Sequence, residues 1–118
     1  MPNEVFARHQ EYAIGPVDQI PFGEGREFQV MGLRVAVFRT RADAVYATQA
    51  ACPHKEGPLA DGMLGGSTIM CPLHDRSYDL VSGTELGGTC SLTIYSIRRD
   101  PDGTLLLTLP APYTPAVG

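Results

Sequence analysis

Two short runs in this chain, Cys52-Pro53-His54 and Cys71-Pro72-Leu73-His74, each set a thiolate beside an imidazole, with sixteen residues between them. Thiolates and imidazoles are ligands for zinc, copper or iron. The carboxylate-rich loops that take hard cations are not present. A zinc finger usually puts two Cys on one loop and two His on the other, whereas here each run supplies one of each. If the two Cys take one metal and the two His a second, both loops touch both metals and the arrangement is dinuclear. A [2Fe–2S] centre with mixed ligation fits that order; a single zinc ion is the competing assignment.

Such loops need a scaffold. The chain has 118 residues, the size of one domain with one core, and 43% of them are apolar. Its 13 Gly and 10 Pro are scattered rather than clustered, which suits short strands joined by many turns. Strands are expected over Glu11 to Ile14, stopped by Gly15-Pro16, and over Glu27 to Val30, Leu33 to Arg39 and Ala44 to Gln49. Pro21 to Gly25 reads as a turn, and so does Arg41-Ala42-Asp43. Met31-Gly32 offers a tight hairpin. Leu33, Val35 and Val37 are expected to share one face by the two-residue period, with Arg34 and Arg39 on the other. Phe38 falls on Arg34's side, so the strand reads as half-buried on both faces. Thr68 to Met70 leads into the second Cys-His run and Ser77 to Leu80 leads out of it. Leu92 to Arg99 and Thr104 to Leu109 form a hairpin around Asp100-Pro101-Asp102-Gly103, which has turn chemistry at every position. No stretch carries a helical stripe. The expectation is one all-β domain over residues 1–118, an antiparallel β-sandwich with a two-loop subdomain at about residues 50–79. Residues 1–9 and the tail 110–118 are expected to be irregular.

The formal net charge is −4, with no Lys/Arg run, which argues against nucleic acid as a partner. Residues 1–10 lack the basic and apolar regions of a signal peptide, and no apolar run approaches the length of a membrane span. A cytoplasmic protein with no membrane partner is expected. Three Cys in a reducing compartment do not make a disulfide framework.

The two runs, together with Gly57-Pro58-Leu59-Ala60-Asp61-Gly62 and Tyr78-Asp79-Leu80 followed by Gly83, resemble the Rieske iron–sulfur family, and the likeness extends over roughly residues 10–109. The resemblance implies one [2Fe–2S] cluster, with Cys52 and Cys71 on one iron and His54 and His74 on the other. It also implies that the two His lie at the tip of the protein. Two neutral imidazoles in place of two thiolates leave the cluster less negative, so such centres span about −150 to +300 mV against about −400 mV for all-Cys plant-type ones. Pro53 and Pro72 either shape the loops around the sulfurs or are ordinary turn prolines. Gly57 and Gly62 provide either close backbone approach to the cluster or positive φ.

Departures from the family pattern carry information. High-potential members have a further Cys in each loop, joined by a disulfide; the matching positions here are Gly57 and Leu73. They also have a Ser and a Tyr that hydrogen-bond to the cluster sulfurs; here the Ser position is Arg76 and the Tyr position is Tyr78. Fewer such bonds lower the potential, so a low-potential, ferredoxin-like centre is expected, with Tyr78 raising it slightly. Protonation of His54 and His74 is expected to be linked to reduction. Cys90 matches no ligand position and is expected to be a small buried side chain. Lys55, Glu56, Asp75 and Arg76 are expected to form a solvated charged rim.

A Rieske centre alone breaks no bonds, so the expected role is one-electron transfer to a redox partner protein rather than catalysis by the chain itself. Pro58 to Met63 and Cys71 to Asp75 resemble the small subunit of NAD(P)H nitrite reductase, the reading the sequence favours. The alternative is a free Rieske ferredoxin passing electrons from a flavin reductase to a ring-hydroxylating oxygenase. Those ferredoxins usually have Trp where Leu73 stands and Gly-Ala where Asp75-Arg76 stands, and this chain has no Trp.

Overall fold

The computed structural model describes residues 9–53, 57–72 and 76–110. Its strands, in chain order, are β1 (His9–Pro16), β2 (Glu24–Val30), β3 (Leu33–Arg39), β4 (Val45–Gln49), β5 (Met63–Gly65), β6 (Thr68–Met70), β7 (Ser77–Asp79), β8 (Ile94–Arg99) and β9 (Thr104–Pro110). They form a six-stranded sheet ordered β1-β9-β8-β4-β3-β2 and a three-stranded sheet ordered β5-β6-β7. All the pairings are antiparallel. The large sheet curls until its edge strands β1 and β2 approach each other. No helix among the described residues is long and apolar enough to cross a membrane.

Local chemistry explains the main turns. Met31 and Gly32 have φ of 53° and 80°, the two positive values a primed two-residue hairpin requires between right-twisted strands. In the β8–β9 turn, the Asp100 carboxylate accepts the N–H groups of Asp102 and Thr104, and Gly103 sits at φ 86°. The expected stop at Gly15-Pro16 is not where β1 ends. Gly15 at φ 111° absorbs a bulge, the register with β9 slipping between Ala13 and Gly15, and pairing continues to Pro16. At the other end His9 pairs with Pro110, so both residues belong to strands rather than to irregular termini. Residues 1–8 and 111–118 lie outside the described residues.

β3 is buried on both faces, and this divides the interior in two. Val35 and Val37 join Val17, Ile20, Ala47, Leu105, Leu107 and Leu109 inside the curl of the large sheet. Ala36 and Phe38 face the other way and join Cys52, Leu59, Ile69, Cys71, Tyr78, Leu80 and Leu92. Phe38 can share a side with Arg34 because the small sheet and the two Cys-bearing loops cover that end of the strand. Arg39 does not share Arg34's side: by the strand's alternation it falls on that of Val35 and Val37, and buried there it fixes the β3–β4 turn. Its Nε donates to Asp43 at 2.8 Å, its Nη1 donates to the Ile20 carbonyl at 3.0 Å, and its guanidinium lies 3.8 Å over the Phe22 ring. Asp43 also accepts from Arg99 on β8 at 2.9 Å, and the two guanidiniums, Arg39 first, hold its carboxyl below the usual carboxylate range.

Three short elements were not expected. β5 is a three-residue strand ending in Gly65, too short to show a period, and is defined by its register Met63↔Met70 with β6. Single 3₁₀ turns cover Val17–Gln19 and Leu59–Asp61. Each is one i→i+3 turn, and one turn carries no amphipathic stripe.

Candidate metal centre

The two Cys-bearing loops are built alike. Cys52 follows β4, and its N–H donates to the Gly57 carbonyl at 2.8 Å; Cys71 follows β6, and its N–H donates to the Arg76 carbonyl at 2.8 Å. Each loop therefore closes on the carbonyl five residues beyond its Cys. The first loop is also tied at its base by the Ala51↔Pro58 bridge and by the Leu59 N–H, which donates to Ala50. In sequence, His54 falls inside the first closed loop and His74 inside the second. Both His, with Lys55, Glu56, Leu73 and Asp75, lie outside the described residues.

The structure brings three of the five expected site residues together. Cys52 is 0% exposed, Cys71 3% and Tyr78 0%, and all three belong to one buried cluster. Tyr78 lies on β7 opposite Ile69 of β6, just before the second Cys. Its Oη lies 3.7 Å from Cys52 Sγ, within hydrogen-bond reach of sulfur, so the strand returning from the second loop touches the Cys of the first. Burial first, and then the bond to Cys52, push the Tyr78 phenol well above its ordinary value. It stays protonated, and against a thiolate it is the donor. Replacing Tyr78 with Phe is expected to lower the midpoint potential. A hydrogen bond worth about 1 kcal/mol more to the reduced than to the oxidised centre corresponds to roughly 40 mV for one electron. Redox titration of wild type and Tyr78→Phe reads this directly, and equal potentials remove Tyr78 from the account.

Gly62 does not take a positive φ, and the close approach it permits is to the backbone of β6. Its φ is −76°, and a Cβ built there would lie 2.2 Å from the Met70 carbonyl, the residue just before Cys71. A side chain at Gly62 would push β6 and the second loop away from the turn that follows the first.

Arg76 corrects one expectation. It is not simply part of a solvated rim: its Nη1 is 2.6 Å from Glu85 Oε2, and the Glu85 side chain is only 4% exposed. Sequence reasoning missed Glu85, since a single acidic residue in a polar, Gly-rich stretch looks solvated. Its one signal was Gly88, where a Cβ would fall 2.3 Å from the Glu85 carboxyl carbon. Cys90 is half-buried against the same core as Cys52 and Cys71, and its N–H donates to Glu85 Oε1 at 3.1 Å.

The described part of the site fits an iron–sulfur centre. Two soft sulfur donors lie on separate loops and share one apolar pocket, where an uncompensated thiolate would be costly. A neutral O–H points at one of them. Curled antiparallel sheets carrying two such loops define a small all-β electron-transfer domain. The chain belongs to the Rieske [2Fe-2S] domain family, whose pattern matches residues 10–94. It carries that family's [2Fe–2S] cluster and transfers electrons through it.

Similarity to particular proteins points in two directions. A ferredoxin component of the naphthalene 1,2-dioxygenase/salicylate 5-hydroxylase systems of Ralstonia sp is 34% identical over 70 residues, 59% of this chain and 66% of the relative. The match thus spans just under two thirds of that relative. The ferredoxin of carbazole 1,9a-dioxygenase from Nocardioides aromaticivorans superposes with a TM-score of 0.74 at 31% identity, covering 86% of this chain and 98% of the other. A Mycobacterium tuberculosis protein described as the small subunit of an NADH-dependent nitrite reductase superposes with a TM-score of 0.82, covering 88% and 98%, at 21% identity.

Proposed function

We propose that this chain is a one-electron carrier of the oxygenase-ferredoxin type, forming one Rieske domain over residues 1–118. In this reading Cys52 and Cys71 ligate one iron of the cluster and His54 and His74 the other. The bound cluster supplies a single reversible electron step at low potential. The protein residues do the rest: Cys52 and Cys71 anchor from the buried side, Tyr78 donates a hydrogen bond to Cys52 Sγ, and the two closed loops present His54 and His74 to a partner. Its partners are a flavin-containing reductase that donates the electron and a terminal oxygenase that accepts it, in the cytoplasm.

One observation carries the choice. Relatives above 30% identity include the ferredoxins of several oxygenase systems and one oxygenase component, whereas the likeness to the nitrite reductase subunit, at 21%, speaks for the fold alone. The second reading, a small subunit of NAD(P)H nitrite reductase, has its own support. The chain has Leu73, Asp75 and Arg76 and no Trp, and so departs from the usual ferredoxin loop.

Co-purification from the native cell tests the choice. A carrier is expected to elute alone, to be reduced by NAD(P)H only when a flavin reductase is added, and to be reoxidised by an oxygenase. A stable stoichiometric complex with a sirohaem-containing reductase would replace this reading with the second.

A further inference from the structure

The Glu85–Arg76 pair is the one strongly buried carboxylate contact among the described ion pairs, and it sits against the second loop. The other described ion pairs leave their carboxylates at least 32% exposed, whereas Glu85 is at 4%. Arg76 is the closing residue of that loop, since its carbonyl accepts the Cys71 N–H. Glu85 lies across from Tyr78 in an isolated bridge, and Tyr78 reaches Cys52 Sγ. The pair therefore lies behind both sulfur ligands, one backbone bond from Cys71 and one side chain from Cys52.

Glu85 is built in rather than adventitious. Its Oε2 accepts from Arg76 at 2.6 Å and its Oε1 accepts from the Cys90 N–H at 3.1 Å. Its own N–H donates to the Cys90 carbonyl at 3.0 Å. Gly88 leaves the space its carboxyl occupies, because any Cβ there would overlap it. A buried carboxylate is held at such cost only when a partner compensates it. Arg76, by contrast, is 43% exposed and could have turned to water.

We propose that Glu85 is a positioning residue for the cluster: it fixes the Arg76 guanidinium at the closure of the second loop and cancels its charge, so that the centre sees no net cation there. The sign of the effect follows from electrostatics. Reduction adds one negative charge to the cluster, so an uncompensated cation nearby favours the reduced state and an uncompensated anion the oxidised one. The low interior dielectric keeps such a charge from being fully screened.

The inference rests on the ligand assignment proposed above, and its test separates the two. Midpoint potentials are measured on cluster-loaded protein at pH 8 for wild type, Glu85→Gln, Arg76→Gln and the double variant. Iron and sulfide per chain and the thermal unfolding midpoint are recorded alongside. Glu85→Gln is expected to shift the potential upward, since arginine stays charged. Arg76→Gln is expected to shift it downward, and the double variant to return close to wild type. A structural role alone would not give opposite signs that cancel. Single variants shifting the same way, or a Glu85→Gln potential unmoved at full iron content, overturn the proposal. Should Glu85→Gln lose its cluster, Arg76→Gln against Arg76→Lys decides: the half-exposed site tolerates both, and only the uncharged variant is expected to lower the potential; equal potentials overturn the idea. Wild-type protein without iron would instead sink the ligand assignment.

Discussion

Cys71→Ala is expected to yield a colourless chain with no iron and no acid-labile sulfide, while Cys90→Ala keeps both. The two residues are close in type and setting, each packed into the same apolar cluster, with Cys71 3% exposed and Cys90 half-buried. What separates them is the backbone. Cys71 opens a loop closed by its own N–H on Arg76, as Cys52 opens one closed on Gly57. Cys90 sits instead on the stretch that holds Glu85. In the proposed ligand set, removing one of two thiolates would leave its iron with a single protein sulfur, and the free energy of binding that orders both loops would be lost with it. Iron and sulfide assays, visible absorption, and spin resonance after dithionite read the result. A Cys71→Ala protein with full iron would remove Cys71 from the site. A wild type holding one zinc ion would remove the cluster.

This contrast also shows what could be read before the fold was known. Ligand chemistry is carried by side-chain identity and spacing, so Cys52 and Cys71 stand out as candidates from the chain alone, and the structure packs both into one buried cluster. Strands whose apolar residues alternate against one packed face could be read too. Leu105, Leu107 and Leu109, which alternate with Thr104, Leu106 and Thr108, are all buried. Turns with obligatory chemistry, Met31-Gly32 and Asp100 to Gly103, fell where expected. The parts that escaped are those defined by distant partners. Glu85 becomes buried only because Arg76 and the space over Gly88 meet it across the fold. Gly62 matters because the Met70 carbonyl comes against it from another strand. β5 exists because β6 pairs with it, not because Met63-Leu64-Gly65 has any strand signature. Phe38 shows the same limit in milder form. Its position on the Arg34 side was legible, but the reason that side is apolar lies in the loops that cover it.

Phe38→Ala is expected to be the most damaging substitution outside the ligands, lowering the unfolding free energy by about 3–5 kcal/mol. That is a large part of the roughly 5–15 kcal/mol that holds a typical domain. The ring is fully buried in the cluster that contains Cys52 and Cys71. On β3 it lies between Gly25 and Tyr46 in register. A Cβ on Gly25 would fall 2.7 Å from the ring and 3.2 Å from the Ala60 carbonyl, so the ring fills the gap between β2 and the 3₁₀ turn that follows the first loop. Deleting it opens a cavity beneath both loops. Leu107→Ala is the proper comparison. It is as deeply buried but belongs to the other core, inside the curl of the large sheet, and should cost about 2–5 kcal/mol. If the two cores are separable, stability and cluster retention will part company. Urea unfolding gives the first quantity, and iron release to a chelator under native conditions gives the second. At comparable loss of unfolding free energy, Phe38→Ala is expected to release iron faster, because local opening of the loops no longer requires opening the sheet. Equal release rates from the two variants would show that the loops open only when the whole domain does, and that β3 joins two halves of one cooperative unit.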